Sequence, residues 1–276
     1  MTIPIIGVDL GFGHVKVAGP GFRSTYPAVV AEPTAWSEPT GLVEWGHHKF
    51  LVGAPALNEG HHRYSTRIDK ASTPEEMAKY LVGLALACRH YDTRVLTVAT
   101  GLPPAHYKDQ ILRQELQHRM TGAFTFRFEG QPYCIQVNHC SVDPQAGAAL
   151  FDALLHEDGE LANPELLSQR TLILDAGHRT TDVALMVGRR AAIGGRSIFS
   201  IEQGVWTVYQ EVTRLLMRDH RLSLTPAEVD AFWRSGQALR LAGSPLLLEP
   251  YVRRAVLPVG RAITADVMRQ VGDIRL

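Results

Sequence analysis

One short pattern occurs twice in this chain and constrains its fold more than any other feature. An apolar run ends in aspartate, a glycine follows two residues later, and a tight turn leads into a returning run. The first copy is Ile5-Ile6-Gly7-Val8-Asp9-Leu10-Gly11-Phe12-Gly13-His14-Val15. The second is Leu172-Ile173-Leu174-Asp175-Ala176-Gly177-His178-Arg179-Thr180-Thr181-Asp182-Val183. Short apolar runs bounded by glycine read as buried strands joined in hairpins. A glycine turn lets backbone N–H groups surround phosphate oxygens with no Cβ in the way. Thr180 and Thr181 add hydroxyl donors to the second turn. An aspartate at a rigid strand end is suited to orient a hydrated magnesium beside those phosphates. Either copy alone is satisfied by a plain hairpin with an acidic strand end. The repetition, once near the start of each half, points to a clamp on a polyphosphate.

The rest of the chain alternates strand-like and helix-like text. Residues 94–100 read as a strand closed by Gly101-Leu102-Pro103-Pro104, and residues 124–128 and 133–137 as paired strands. Thr73-Pro74-Glu75-Glu76 and Thr225-Pro226-Ala227-Glu228 are capping-box patterns with proline at the first helical position. They open helices to about Arg89 and Leu239. Asp143-Pro144-Gln145 leads into an alanine-rich helix over 146–155. Further helices are expected over 105–120, over 201–218 after Gly194-Gly195, and over 251–271. Residues 23–67 read as irregular apart from short strands at 43–45 and 49–52, which suggests a small subdomain inserted at about 23–70. A chain of 276 residues exceeds what one core usually organises. The polar, turn-rich stretch 156–168 divides it into domains at 1–160 and 161–276. The class is α/β with mixed sheets.

Lys plus Arg and Asp plus Glu both number 28, so the formal net charge is zero. That argues against direct coating of nucleic acid or of an anionic membrane, and leaves DNA contact through a partner open. Cys88, Cys134 and Cys140 have neither metal-ligand spacing nor an even-numbered framework, and read as reduced thiols. The N-terminus does not read as a signal segment, and no apolar run approaches the roughly 18–20 residues that span a bilayer. A cytoplasmic protein is expected. The pairs His47-His48 and His61-His62 lie in polar loops, where solvated imidazoles are a plainer reading than a metal site.

The two hairpins resemble the first and second phosphate motifs of the actin, sugar-kinase and heat-shock-chaperone superfamily. The finer texture looks like the ParM/StbA group of bacterial and archaeal actin-like ATPases. That likeness rests on the hairpin 45–52 ending in Val52-Gly53, on Gly101-Leu102-Pro103, on Asp143-Pro144-Gln145, and on Gly195-Arg196-Ser197. It covers essentially the whole chain. It implies a two-domain actin-like fold, a duplicated ribonuclease H-like unit with a cleft between domains, that binds ATP (GTP being possible) with Mg2+. Gly11, Phe12, Gly13 and His14 are then implied as phosphate contacts of the first loop, with Lys16 reaching in from the return strand. Gly177, His178, Arg179, Thr180 and Thr181 form the second loop. Asp9 and Asp175 are implied as catalytic carboxylates beside the metal, holding it through water. Gln145 falls where the family positions the attacking water, which an amide orients by donating and accepting. As the first residue of a helix it serves equally to bond free amides.

Two features depart from the family pattern. His14 and His178 stand where relatives carry smaller or aromatic residues, and a protonated imidazole there would favour phosphate binding at mildly acidic pH. The family continues past its last helix to a Gly-Gly turn against adenosine, whereas this chain reaches Gly272-Asp273-Ile274-Arg275-Leu276. Truncation before the adenosine motif is therefore expected, and Gly194-Gly195 follows the second hairpin too closely to substitute. The implied activity is ATP hydrolysis coupled to filament assembly, since a head-to-tail contact that does not close generates a filament. The implied partners are further copies of the chain and a DNA-binding adaptor, in plasmid or DNA segregation. A small-molecule kinase, with Asp143 as its nearby carboxylate, and a nucleotide-binding scaffold without turnover are the alternatives.

Overall fold

The computed structural model describes residues 3–59, 63–64, 71–156, 159–188, 190–191 and 197–271. The chain separates into two compact units, Met1–Leu167 and Ser168–Leu276. His61-His62, Gly194-Gly195 and residues 272–276 lie outside the described residues.

The first unit opens with a meander, β1 (Ile5–Leu10), β2 (His14–Gly19) and β3 (Phe22–Pro27). The short strands β4 (Val29–Ala31), β5 (Leu42–Trp45) and β6 (His48–Val52) follow, then α1 (Ala54–Leu57) and β7 (Arg63–Tyr64). The central helix α2 (Pro74–Tyr91) leads to β8 (Val95–Leu102), the helices α3 (Pro104–Tyr107) and α4 (Gln110–Arg119), the strands β9 (Gly122–Phe128) and β10 (Gln131–Pro144), and α5 (Gln145–Leu154). Ten strands join in one sheet in the order β3-β2-β1-β8-β10-β9-β5-β6-β4-β7. β1, β8 and β10 run parallel, so their carboxyl ends gather at one edge of the sheet. In open α/β sheets that edge is where ligands bind.

Several local expectations are revised. Residues 22–27, read as mostly irregular, pair along all of β2, because alternating half-buried side chains suit a sheet edge even without a strong apolar signal. The helix expected over 105–120 breaks in two. Asp109 accepts from the Ile111 and Leu112 amides and starts α4 afresh. β10 is nearly three times the expected length: it pairs with β9 in its first half, bulges between Val137 and His139, and runs beside β8 to Pro144.

α2 is buried on nearly every side against this sheet. Thr73 caps it by accepting from the Glu76 amide, but the Glu76 carboxylate does not complete the capping box. It accepts instead from Lys79 Nζ at 2.7 Å, in an ion pair whose residues are 3% and 0% exposed. Helices that are enclosed all round usually carry no charge, and desolvating two ions is offset only while both are present.

The second unit repeats the opening. β11 (Arg170–Ala176) and β12 (Thr181–Val187) form a hairpin, and β13 (Arg190–Ala191) and β14 (Ile198–Ile201) both pair antiparallel with β12. α6 (Val205–His220), α7 (Pro226–Ser235), the small hairpin β15 (Leu239–Leu241) and β16 (Ser244–Leu246), and α8 (Glu249–Val271) follow. β14 occupies residues that the sequence reading left as lead-in to a helix. β15–β16 takes the end of the expected 225–239 helix, which stops at Gly236 in a left-handed conformation. α7 does carry a full capping box between Thr225 and Glu228. Tyr209, Val212 and Leu216 of α6 pack with Val229 of α7 and Val252 and Ala255 of α8 in one core. Val183, Ile201, Val267 and Val271 form another against the sheet.

Removing one partner of the buried pair strands the other charge in the core. Lys79→Met or Glu76→Gln alone is expected to cost about 3–5 kcal/mol, read as a lowered urea midpoint. Glu76→Leu with Lys79→Met recovers most of that loss.

Candidate functional site

The first hairpin places Asp9 opposite Lys16 in strand register, with Lys16 Nζ 3.6 Å from Asp9 Oδ2. Both side chains are partly exposed, so this pair is solvent-screened. Gly11 is required by close approach, since a Cβ there would stand 2.6 Å from the His14 carbonyl oxygen. The Ala28 amide donates to the Gly13 carbonyl and ties the turn to the strand after the meander. On the neighbouring strand, Thr100 Oγ1 donates to the Val8 carbonyl at 2.7 Å and locks β8 to β1 just before Asp9.

Gln145 is delivered to the same place from across the sheet. β10 runs beside β8 with Asp143 opposite Gly101, and α5 begins at the next turn of the chain. The Gln145 side chain lies over Gly101, where any Cβ would meet Gln145 Cγ at 2.6 Å. Its Nε2 donates to Asp9 Oδ1 at 2.9 Å. A carboxylate only accepts, so the nitrogen must face Asp9 and the amide oxygen is directed elsewhere. Two sequence-separated candidates, 136 positions apart, thus form one bonded pair. Gly101, which the sequence reading used only as a strand end, is what lets them meet.

In the second hairpin Asp175 is exposed and stands opposite Asp182 in register, a second carboxylate that the sequence reading passed over as the start of the return strand. The turn is closed by the Gly177 amide, which donates to the Thr180 carbonyl at 2.8 Å. The start of α6 then grips the loop from behind. The Val205 and Trp206 amides donate to the Gly177 and His178 carbonyls at 3.1 and 2.7 Å. Gly204 permits this, since a Cβ there would lie 2.6 Å from the Gly177 oxygen. First-turn amides of a helix have no partner within it, and here loop carbonyls accept from them. Arg179 is exposed at the turn and Thr180 half-buried.

Thr181 and His178 have settings the sequence did not announce. Thr181 is buried and its hydroxyl donates to the Gln203 carbonyl at 2.8 Å, so its single proton holds β12 to the α6 approach. The His178 ring lies 5.5 Å from the Trp206 ring and 6.4 Å from that of Tyr209. Burial lowers its pKa below the usual 6.5, opposed by Asp230 and reinforced by Arg234. This environment favours the neutral imidazole.

Beyond Gln203, a pocket of about 440 Å³ runs along α6 within the second unit. Gln203, Thr207, Gln210 and Glu211 line it on one side, and Pro258 and Val259 of α8 on another. At Asp9 a magnesium ion would fit through water better than by a direct bond. Asp9 already accepts from Gln145 and lies near Lys16, and no group of three or more metal-ligating side chains occurs among the described residues. Mg2+ keeps several waters and tolerates such indirect contact. The three cysteines are free thiols, and burial raises Cys88 to about 11 and Cys140 to about 12. No helix among the described residues is long and apolar enough to cross a membrane.

Both units open on an antiparallel hairpin whose first strand carries an aspartate near its carboxyl end, and the fold is actin-like. The family description for the N-terminal domain of actin-like proteins matches residues 7–147, and the chain belongs to that family. No curated protein matches it. Among solved structures it is similar to Ta0583, an archaeal actin homolog, with a TM-score of 0.78 at 17% identity over 98% of this chain and 83% of that one. The crystal structure of Ta0583 in complex with ADP matches with a TM-score of 0.73 at 18% identity, over 98% and 82% of the two chains. A 15-stranded ParM filament from Clostridium botulinum matches with a TM-score of 0.75 at 16% identity, over 98% and 84%.

The setting of His178 has a pH signature. An unfolded-state imidazole titrates near about 6.5, above the folded-state value, so below that pH the unfolded chain takes up the proton first. His178 therefore contributes stability above about pH 6.5 and loses it as pH falls toward the folded value. Urea unfolding followed by tryptophan fluorescence at pH 7.5 and 5.5 is expected to show a lower midpoint at 5.5. His178→Phe reduces that difference.

Proposed function

We propose that this chain binds a nucleoside triphosphate with Mg2+, hydrolyses it, and assembles with further copies of itself in a nucleotide-dependent way. The observation that carries the reading is the Gln145–Asp9 hydrogen bond of 2.9 Å at the carboxyl edge of the parallel strands. The turn at residues 11–14 and the turn at 178–180 hold the phosphates through backbone N–H groups, with Lys16 adding charge. Asp9 and Asp175 hold the metal through its waters, and Mg2+ when bound neutralises charge on the phosphates. Asp9 fixes the Gln145 amide nitrogen, which leaves Oε1 to accept from a water and set its direction of attack. Water positioning of this kind asks little of pKa tuning and much of rigid placement. The α6–α8 pocket takes the nucleoside, where Gln210 and Glu211 offer polar partners to base or ribose and Val259 an apolar wall. ATP is the favoured nucleotide, with GTP the competitor in the assay.

Support for the assembly half comes from the family. The relatives include a ParM filament and an archaeal homolog crystallised with ADP. A segregation role would add a DNA-binding adaptor, consistent with zero net charge. Such a chain works in the cytoplasm.

Phosphate release from ATP with Mg2+ is the decisive measurement. Gln145→Ala is expected to lower turnover by about 10²-fold with nucleotide affinity retained. Gly101→Ala, which pushes Gln145 off Asp9, is expected to lower turnover in the same way. A wild-type chain that binds ATP yet releases no phosphate above background would reduce it to a scaffold.

A further inference from the structure

Trp36 is 94% exposed, the most exposed large apolar side chain among the described residues. It is not on a loose loop. The Thr34 amide donates to Ser37 Oγ at 2.8 Å, the Ser37 amide to the Thr34 carbonyl at 3.2 Å, and Ser37 Oγ to Glu59 Oε1 at 2.6 Å. A tight, bonded turn therefore holds a tryptophan out into solvent, where its large apolar surface gains nothing from the fold. The turn is also acidic. Glu32 and Glu38 flank it with no Lys or Arg between them, while Glu44 further on is paired with Lys49 and Arg127.

A surface of opposite character lies on α8 in the second unit. Val256 and Leu257 are 49% and 58% exposed there, beside exposed Arg253 and Arg261. Of the three arginines between Glu249 and Asp266, Arg253 pairs with Glu249 at 2.7 Å and Arg254 with Asp219 at 3.0 Å, which leaves Arg261 as the charge this face offers. Residues 253, 256, 257, 260 and 261 share one helical face by their spacing. At Gly260 an added Cβ would meet nothing within 4 Å, so the middle of this face is flat. A ring can lie there between aliphatic side chains with a guanidinium over it.

We propose that the Trp36 turn of one copy docks on the Val256–Arg261 face of α8 in the next copy. Glu38 meets Arg261, the indole covers Val256, Leu257 and the bare backbone of Gly260, and the Arg261 guanidinium lies over the ring. Trp and Arg are the residue types that most often dominate an interface. The two patches differ, so each copy offers one of each, and such a heterologous contact propagates when its rotation does not close. This rests on the reading that the chain assembles.

Sedimentation over a concentration series with ATP and Mg2+ tests it, using wild type, Trp36→Ala, Arg261→Glu, and Glu38→Arg combined with Arg261→Glu. Each single variant is expected to raise the concentration at which assembly begins by about ten-fold or more. The charge exchange is expected to recover part of the loss. Trp36 touches little of the fold, so thermal midpoint and nucleotide affinity should match wild type. Single variants that assemble at the wild-type threshold would overturn the contact and leave self-assembly standing. A wild type that remains monomeric at every concentration and with every nucleotide would overturn both.

Discussion

Backbone crowding at a few glycines is the constraint on which the rest of this structure depends. At Gly11 and Gly177 the chain doubles back so closely that a Cβ would stand 2.6 and 3.0 Å from a carbonyl oxygen. Real Cβ atoms essentially never come as close to backbone as at Gly11, so that turn closes only around hydrogen, and at Gly177 a Cβ would be crowded more tightly than nearly all real ones. Closing the turn sets the register of the hairpin behind it. Register decides which strand residues face the core, since a slip of one would turn Val8 outward and Asp9 inward. The same economy recurs at Gly204, which lets the start of a helix bond the second loop from behind, and at Gly101, which lets Gln145 lie over the sheet edge.

Around these turns the two units solve their packing differently. In the first, the ten-stranded sheet encloses α2 so fully that Glu76 and Lys79 are carried inside as an ion pair. Such a pair is retained against its desolvation cost only because both charges are satisfied by each other and by neighbours. In the second, α6, α7 and α8 make a core of their own, and the strand sheet packs on the far half of α8. α8 therefore spans both cores of its unit. One of its faces is left in solvent, and Pro258 in its middle cannot donate to the preceding turn.

Much of this was legible in the sequence because the signals were local. The Asp-x-Gly hairpins, the Thr73 and Thr225 caps, the strand ending at Gly101 and the helix after Pro144 all announce themselves within a few residues. The actin-like class followed from finding the hairpin twice. The elements that escaped were those whose stability comes from neighbours. β3 and β14 are short and only partly apolar, and exist because β2 and β12 offer an open edge. The break at Asp109 was present as a capping residue and was overridden by a helical pattern that continued past it. The second hairpin hid its own restraints: nothing in Thr181 itself foretells a proton given to the Gln203 carbonyl, nor in His178 a ring set against Trp206.

What the sequence determined by itself was the pair of tight glycine turns, because a glycine two residues after a strand-end aspartate is a statement about allowed backbone, and backbone sterics are local. What only the tertiary structure decided was which of the candidate groups meet. Asp9 and Gln145 are joined through the parallel pairing of β8 and β10, and hydrogen bonds across a sheet depend on register that no short stretch of text encodes. Lys79, a residue type that normally lies at the surface, is fully buried for the same reason. Burial is a property of the assembled sheet and helix, and a side chain's chemistry cannot reveal which of its neighbours the fold will bring.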